Sequence, residues 1–385
     1  MNDLQEILAN RIRTARENLS LTQKQLADAV GFSSSQIIHQ IESRQREVKA
    51  WELCKIAQAL RVDVTQLLAL EPLEITPFVL WRKAPENDKA ILEADFLQRC
   101  NEYAFLEKLS GEIAENDLPS KQVNLHTITY EDAGKLGETI WKELKLGSRP
   151  ASCIDRLLED KYGVKIWYQD LGVDGSAASA KGTFGLAVLI NSREPPWRRN
   201  YSFAHELFHL ITWDSTSPES LNDSNYDLFD HVEKIADSFA SSLLLPLDDL
   251  INTVDAHIKK GEINYVSLID IAREFDVSTS ALLWRLHNID ALDKGTIASL
   301  LNDRAFKELD KAYRAGHWWQ PPDIPSRFVR LAFTAYQKGQ LSRTKLAEYL
   351  KIGLADLSGV LLEYGFDDHA DYQATVPASG HHGST

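Results

Sequence analysis

A pair of histidines four residues apart constrains this chain more than any other feature. His205 and His209 are the first and last residues of the sequence HELFH at 205–209. An α-helix has about 3.6 residues per turn, so the two imidazoles lie on one helix face and can bind the same metal ion. Glu206 lies beside the first histidine, where a carboxylate can reach a water on that ion without being a ligand. The mostly apolar flanks at 201–204 and 210–211 favour a buried helix over two surface histidines on an amphipathic helix.

A metal site that performs chemistry needs a third protein ligand and one open position. Glu233 is the candidate, because it lies in a second helical pattern, with Asp237 one turn further on the same face. The apolar residues of that pattern are Ile235, Ala236, Phe239, Ala240, Leu243 and Leu244. The spacing predicts a Zn²⁺ site with the ligands His205, His209 and Glu233. Glu206 would be its general base, and Asp237 would accept the outer N–H of a ligand histidine.

The length of 385 residues is enough for two or three domains, each with a sizeable core. The cysteines Cys54, Cys100 and Cys153 form no CxxC pair, which argues against a disulfide framework and a thiolate zinc site and favours a reducing compartment. No apolar run approaches the roughly 18 residues that a membrane span needs. We therefore expect a cytoplasmic protein without a signal peptide or a membrane anchor.

The net charge of −14 argues against nucleic acid as a partner of the chain as a whole. Residues 1–70 differ, because nine Lys and Arg against eight Asp and Glu give them a net charge of +1 and leave −15 for the remainder. We expect the DNA affinity of this N-terminal part to be modest and to gain from dimerisation, so a homodimer is one expected arrangement.

The sequence of residues 3–70 predicts five short helices. Thr22 caps the second helix, and a turn at Gly31-Phe32-Ser33 leads into the third, from Ser34 to Glu42. A helix, a short turn with glycine and a further helix are typical of the helix-turn-helix. With LTQxxLA at 21–27, GFSxxxIxxxIE at 31–42 and LxxIAxAL at 53–60, this region resembles the Xre/Cro family of phage and plasmid repressors over residues 5–70.

That resemblance implies a double-stranded DNA operator as partner, with the third helix in the major groove. The residues that it places on base edges are Ser34, Ser35, Gln36 and His39, and those that it places on phosphates are Gln23 and Ser33. Helix capping and solubility are the alternative explanation for the serines. The sequence departs from the family at Arg44, where a glycine usually ends the recognition helix, and at Ile38, which we expect on the outward face.

The region before the histidine helix predicts two strands, at 164–169 and 184–191, with a small-residue loop from Asp174 to Gly182 between them. We expect an extended peptide substrate to pair with a strand alongside the histidine helix. The order of these parts, with Arg198-Arg199 before the HELFH sequence and ExxADxFA at 233–240 leading to Leu244-Leu245-Pro246, resembles the ImmA/IrrE family of metallopeptidases over residues 78–250.

This second resemblance implies a gluzincin. Its zinc ligands would be His205, His209 and Glu233, and its base would be Glu206. The sequence departs from the family at Phe208, where glycine is usual, and at Asp237, where asparagine is common. Because Phe208 lies off the metal face, we expect it to affect helix packing more than zinc binding.

We therefore predict a mainly α-helical chain with a small α+β, zincin-like domain. The predicted parts are a five-helix Xre-type helix-turn-helix domain (1–70), a linker helix (71–120), a zinc metallopeptidase domain (121–250), a helical C-terminal region with helix-turn-helix-like units (251–374) and a disordered tail (375–385).

These parts predict a DNA-binding transcriptional regulator with a zinc-dependent endopeptidase domain, whose protein substrate is, by family resemblance, a transcriptional repressor. The alternative is a DNA-binding repressor or antitoxin-type regulator that uses the zinc fold as a sensor or docking platform without turnover. The two hypotheses differ in the role of Glu206, since only a peptidase requires a general base.

Overall fold

A computed structural model describes residues 2–62, 64–69, 77–86, 88–114, 117–215, 226–258, 262–313 and 319–368. These residues are mostly helical and contain a small four-stranded sheet. The predicted fold class is confirmed: a mainly α-helical chain with five N-terminal helices and a small α+β part. None of the described helices combines the length and apolar content that crossing a membrane requires. The predicted tail at 375–385 lies outside the described residues.

Local chemistry determines where the N-terminal helices begin and end. These helices are α1 (Asn2–Asn18), α2 (Gln23–Val30), α3 (Ser35–Glu42), α4 (Ala50–Leu60) and α5 (Val64–Leu68). At the start of α2, the Thr22 hydroxyl accepts from the Gln25 N–H at 3.2 Å and the Gln25 side chain accepts from the Thr22 N–H at 2.8 Å. Gly31 ends α2 with φ +82°, a left-handed conformation that suits glycine. Ser34 then caps α3, accepting from the Gln36 N–H at 3.1 Å.

The inner face of α3 differs from the one we predicted. Ile38 is 0% exposed and belongs to the core of the five-helix unit, so the expectation that it lies on the outward face is wrong. Ile38 and Ile41 are three residues apart and share the inner face, whereas Ile37 is only partly buried. Arg44, which stands where the related family has glycine, adopts a left-handed conformation with φ +63°.

A buried carboxylate joins the first three helices. Glu42 is 3% exposed and accepts from Arg16 Nε at 2.6 Å and from Gln23 Nε2 at 2.8 Å. Because a buried charge is costly unless it is paired and hydrogen-bonded, these contacts hold α1, α2 and α3 in one arrangement.

The sheet contains β1 (Phe78–Trp81), β2 (Lys165–Gln169), β3 (Ala177–Gly182) and β4 (Gly185–Asn191), in the order β1-β3-β4-β2. Strand β2 is parallel to β4, whereas β1 and β4 are antiparallel to β3. The predictions of β2 and β4 are confirmed. The prediction of a loop over 174–182 is wrong for residues 177–182, which form β3, and the predicted linker contains β1.

The central position of β4 limits where a peptide can be added to the sheet. Both edges of β4 are paired, with β3 and β2, so it cannot accept a further strand. Among the described strands, β1 and β2 lie at the edges of the sheet.

Helices cover both faces of the sheet. The remaining helices are α6 (Lys89–Ser110), α7 (Tyr130–Leu144), α8 (Ile154–Tyr162), α9 (Pro196–Ile211), α10 (Tyr226–Leu244), α11 (Leu247–His257), α12 (Tyr265–Glu274), α13 (Thr279–Asn288), α14 (Lys294–Asn302), α15 (Arg304–Tyr313), α16 (Ser326–Gln337), α17 (Arg343–Tyr349) and α18 (Leu357–Glu363). Side chains such as Ile166 and Val188 pack with α7, α9 and α10. The alternate side chains, such as Trp167 and Leu189, pack with α6 and α16.

The helical character of the C-terminal region is confirmed for the described residues. The two stretches predicted as helix-turn-helix-like units form the helix pairs α12–α13 and α16–α17. The first pair belongs to the core that also contains α9 and α10, and the second pair belongs to the core on the opposite face of the sheet.

Candidate metal centre and DNA-binding helix

Both histidines of the HELFH sequence lie on α9, in the interior of the protein. The helix begins at Pro196, where the missing N–H of proline leaves no unsatisfied donor. Every residue from Ser202 to Ile211 is buried, as the apolar flanks predicted. Phe208 packs on Phe239 of α10, with 5.6 Å between ring centroids. Phe208, one of the two departures from the family pattern, therefore forms a core contact.

Glu233 reaches the histidines because α10 packs closely between α7 and α9. On the α7 side, a Cβ at Gly137 would lie 2.6 Å from the Phe239 carbonyl oxygen, so glycine allows the two backbones to approach each other. On the α9 side, α10 presents Glu233 and Asp237, one turn apart, to the histidine face.

The three predicted ligands converge on one point. The Nε2 atom of His205 lies 3.2 Å from Nε2 of His209 and 3.2 Å from Oε2 of Glu233. Oε1 of Glu233 lies 3.3 Å from Nε2 of His209, and one donor atom from each residue can be chosen so that all lie within 4.8 Å of one another. Ligand atoms held tetrahedrally about 2.1 Å from one zinc ion are about 3.4 Å apart. The spacing therefore fits a single metal ion.

Asp237 occupies the place predicted for a partner of a ligand histidine. Its Oδ1 lies 2.8 Å from Nδ1 of His205, on the side of the ring away from the cluster. The same oxygen accepts from Arg82 Nη2 at 3.1 Å, and Arg82 Nη1 donates to Ser202 Oγ at 3.0 Å. With Nδ1–H donated to a carboxylate, Nε2 of His205 can offer its lone pair to a metal.

Glu206 is fully buried beside the cluster. Its Oε2 accepts a hydrogen bond from Ser179 Oγ on β3 at 2.6 Å. Its Oε1 has no hydrogen-bond partner among the described residues. A buried carboxylate oxygen without a partner is placed to take a proton from a group that enters the site.

The electrostatics of the cluster favour a cation. Burial lowers the pKa of His205, but the Asp237 and Glu233 carboxylates outweigh it and raise that pKa to about 9. Burial raises the pKa of Glu233, yet the neighbouring imidazoles of His205 and His209 outweigh it and lower that pKa to about 2. Burial also raises the pKa of Glu206. Two imidazoles and an ionised carboxylate without a thiolate form a donor set that suits Zn²⁺.

The predicted DNA-contacting residues are placed at the surface of the N-terminal unit. Those that are exposed on α3 or just before it are Ser33, Ser34, Ser35, Gln36 and His39. Ser34 also caps α3, in agreement with the capping alternative for this serine. Gln23 lies nearby on α2, but its amide donates to the buried Glu42.

Two further side chains at the candidate metal centre were not predicted from the sequence. Ser179 and Arg82 come from β3 and from the end of β1, the two strands that were missed. The run of small residues at 174–182 was one available signal for β3, because small side chains allow a helix to pack closely on a strand. For Arg82 no local pattern carried a signal.

Comparisons with known families agree with the two parts of the fold. Residues 7–70 match the model of a helix-turn-helix domain. Residues 159–287 match the model of a peptidase family described as the IrrE N-terminal-like domain. A comparison with curated proteins found no match. The chain thus combines a helix-turn-helix domain with an IrrE N-terminal-like, metallopeptidase-like domain.

Proposed function

We propose that this protein is a cytoplasmic DNA-binding regulator whose metallopeptidase-like domain is a zinc-dependent endopeptidase that cleaves a transcriptional repressor. The observation that carries the proposal is the convergence of His205, His209 and Glu233, whose donor atoms lie within 4.8 Å of one another. The buried Oε1 of Glu206, which has no hydrogen-bond partner within the described part of the chain, supports a catalytic use of this cluster.

Several residues of the chain have separate roles in peptide hydrolysis. When bound, Zn²⁺ supplies a Lewis acid that polarises the scissile carbonyl and acidifies water. Glu206 takes the proton of the attacking water on Oε1 and passes it to the nitrogen of the leaving amine. Ser179 holds the other oxygen of this carboxylate, at 2.6 Å. Asp237 holds the Nδ1–H of His205, at 2.8 Å, so that the imidazole keeps its orientation.

The helix-turn-helix domain supplies the second half of the function. Exposed polar residues at the start of α3 suit contacts with base edges and phosphates of an operator. The near-neutral charge of residues 1–70 suits a homodimer that doubles these contacts. A DNA-binding module and a peptidase on one chain support a repressor as substrate, since the DNA module brings the peptidase to promoters.

Zinc content is the first test. Elemental mass spectrometry on the purified full-length protein is expected to find one zinc per chain, and much less in Glu233→Ala. Glu206→Gln is expected to retain the zinc, because Glu206 is not a ligand. If the folded wild type has been supplied with metal and still contains no zinc, the proposal is wrong.

Turnover is the second test. We would incubate the zinc-loaded protein with a peptide library prepared from a bacterial proteome and identify new N-termini by mass spectrometry. Cleavage by the wild type and its loss in Glu206→Gln, by a factor of at least about 100, is the expected result. Equal cleavage by both proteins would exclude Glu206 as the base.

The burial of the cluster favours one alternative, a regulator that uses the zinc fold as a sensor without turnover. His205 and Glu206 are 0% exposed and His209 is 2% exposed, and only the Glu233 side chain of the cluster, at 16%, is partly exposed, so little of the cluster is open to a peptide. In that case zinc binding and operator binding persist in Glu206→Gln, and neither the wild type nor this variant cleaves any peptide.

A further inference from the structure

Arg82 lies just beyond β1, in a part of the chain that neither family match contains. Its backbone N–H donates to the Ala177 carbonyl at 3.1 Å, and the Lys83 carbonyl accepts from the Ser176 N–H at 3.1 Å. The main chain of residues 82–83 is therefore fixed against the start of β3. This pairing docks the segment that follows the helix-turn-helix domain onto the sheet of the metallopeptidase-like domain.

The Arg82 guanidinium bridges the two helices that carry the metal cluster. It donates to Ser202 of α9 at 3.0 Å and to Asp237 of α10 at 3.1 Å. It also lies over the Tyr201 ring, 5.5 Å from the centroid, and the Tyr201 hydroxyl donates to the Asp237 carbonyl at 2.9 Å. A planar, forked side chain can hold two acceptors at once, which a lysine ammonium does with less geometric control.

Asp237 depends on such a partner for its orientation. Its side chain is 46% exposed, so packing alone does not fix its rotamer. Its Oδ1 accepts from both Arg82 and Nδ1 of His205. An Asp237 carboxylate that leaves this position also releases the outer N–H of His205, and with it the direction of Nε2.

We propose that Arg82 is a positioning residue for metal binding, which acts by holding Asp237 against the ligand His205. The inference rests on the proposed function, because it takes His205 as a zinc ligand. It adds that the metal centre of the IrrE N-terminal-like domain is completed by a residue from the segment that leads out of the helix-turn-helix domain. Metal affinity is therefore coupled to the docking of β1 on β3.

The test measures Zn²⁺ affinity in the full-length protein by competition with a chromophoric chelator. The variants are Arg82→Met, Asp237→Ala and the double variant, since methionine keeps most of the apolar stem of arginine without its donors. Loss of an outer partner of a metal ligand weakens metal binding about 10- to 100-fold. We expect each single variant to weaken zinc binding by about tenfold or more. We expect the double variant to be no weaker than Asp237→Ala, because Arg82 acts through Asp237.

Two controls separate positioning from a general loss of structure. Arg193→Met removes an arginine that is 59% exposed and pairs with Asp170 at 3.4 Å, so its zinc affinity is expected to equal that of the wild type. Arg82→Lys keeps the charge and is expected to fall between wild type and Arg82→Met. The visible spectrum of the Co²⁺-loaded protein is expected to change in Arg82→Met and to stay unchanged in Arg193→Met, because it reports ligand geometry.

The outcomes distinguish this inference from the proposed function. If the wild type binds no zinc, both the proposed function and the role of Arg82 are overturned. A wild type that binds zinc, with Arg82→Met binding it equally tightly and with the same Co²⁺ spectrum, overturns the role of Arg82 and leaves the metal site intact. Losses that add in the double variant also overturn it, since they show that Arg82 acts independently of Asp237.

Discussion

Ser179 on β3 donates a hydrogen bond to Glu206 on α9, with 2.6 Å between Oγ and Oε2. Both side chains are fully buried. The bond occupies one oxygen of the carboxylate and leaves Oε1 without a partner among the described residues. Ser179 therefore determines which oxygen of the proposed base faces the reacting groups.

Ser179→Ala is expected to lower the rate of peptide cleavage about tenfold and to leave zinc content unchanged, because it frees the carboxylate to rotate while all three ligands remain. Cleavage rate and zinc stoichiometry are measured on the same preparation. Ser241→Ala is the matched control, since Ser241 is buried in α10 and its hydroxyl has no partner among the described residues. Equal rates for the two variants would show that Ser179 does not orient the base.

Gly137→Ala is expected to destabilise the protein by about 2 kcal/mol or more, because the new Cβ meets the Phe239 carbonyl oxygen at 2.6 Å and backbone atoms cannot move aside. Gly134, almost one turn earlier in α7, is the control. A Cβ there meets the Ser242 and Ser238 hydroxyls at 3.1 and 3.9 Å, and alanine gains up to about 1 kcal/mol in helix propensity. Urea unfolding midpoints measure both, and a Gly137→Ala variant as stable as Gly134→Ala would contradict the close approach of α7 and α10.

Helical periodicity explains how much of this fold could be predicted. The HELFH helix, the Glu233 helix and the five N-terminal helices each repeat an apolar face, and a repeat of this kind is visible in a single sequence. Where two adjacent residues are equally apolar, as Ile37 and Ile38 are, periodicity does not decide which one is buried. In the structure Ile38 shares the buried face of α3 with Ile41, and Ile37 is only partly buried.

Strands β1 and β3 were not predicted for a different reason. Strand β3 has the sequence AASAKG, which lacks the β-branched and aromatic residues that are typical of strands. Its small side chains instead allow α9 to pack closely against it. The contact between Arg82 and Asp237 spans 155 residues of the chain. Strands β1 and β3 bring Arg82 and Ser179 to the candidate metal centre. The positions of these two residues can therefore be recognised only once the pairing of the strands is known.

The correction at Ile38 leads to a prediction that separates stability from DNA binding. Ile38→Ala is expected to cost about 2–4 kcal/mol, because Ile38 is 0% exposed in the core of the five-helix unit. His39→Ala, one residue further on the exposed face, is expected to leave stability within about 0.5 kcal/mol and to weaken operator binding. Thermal unfolding and binding to duplexes selected from random DNA measure the two effects. A destabilised His39→Ala with unchanged DNA affinity would reverse the assignment of the two faces.

A half-buried carboxylate away from the candidate metal centre gives the protein a pH-dependent stability. Glu159 on α8 lines a cavity of about 1240 Å³ between β2 and the C-terminal helices, and it accepts a hydrogen bond from the Tyr103 hydroxyl at 2.8 Å. Burial raises the pKa of Glu159 from 4.5 to about 7, against the opposing effects of the Tyr103 hydrogen bond and the Arg327 charge. The folded state therefore prefers the protonated carboxyl.

This preference stabilises the fold fully below pH 4.5 and is lost as pH rises through about 7, because the unfolded chain ionises first. Glu159→Gln is expected to flatten the stability profile between pH 5 and 8. At pH 8 it should exceed the wild type by on the order of 2 kcal/mol, after allowance for solvent screening of a partly exposed group. Glu308→Gln, which removes a carboxylate that is 65% exposed, controls for the loss of one negative charge. Urea unfolding at several pH values measures the profiles, and parallel profiles for wild type and Glu159→Gln would show that Glu159 ionises alike in the folded and unfolded chains.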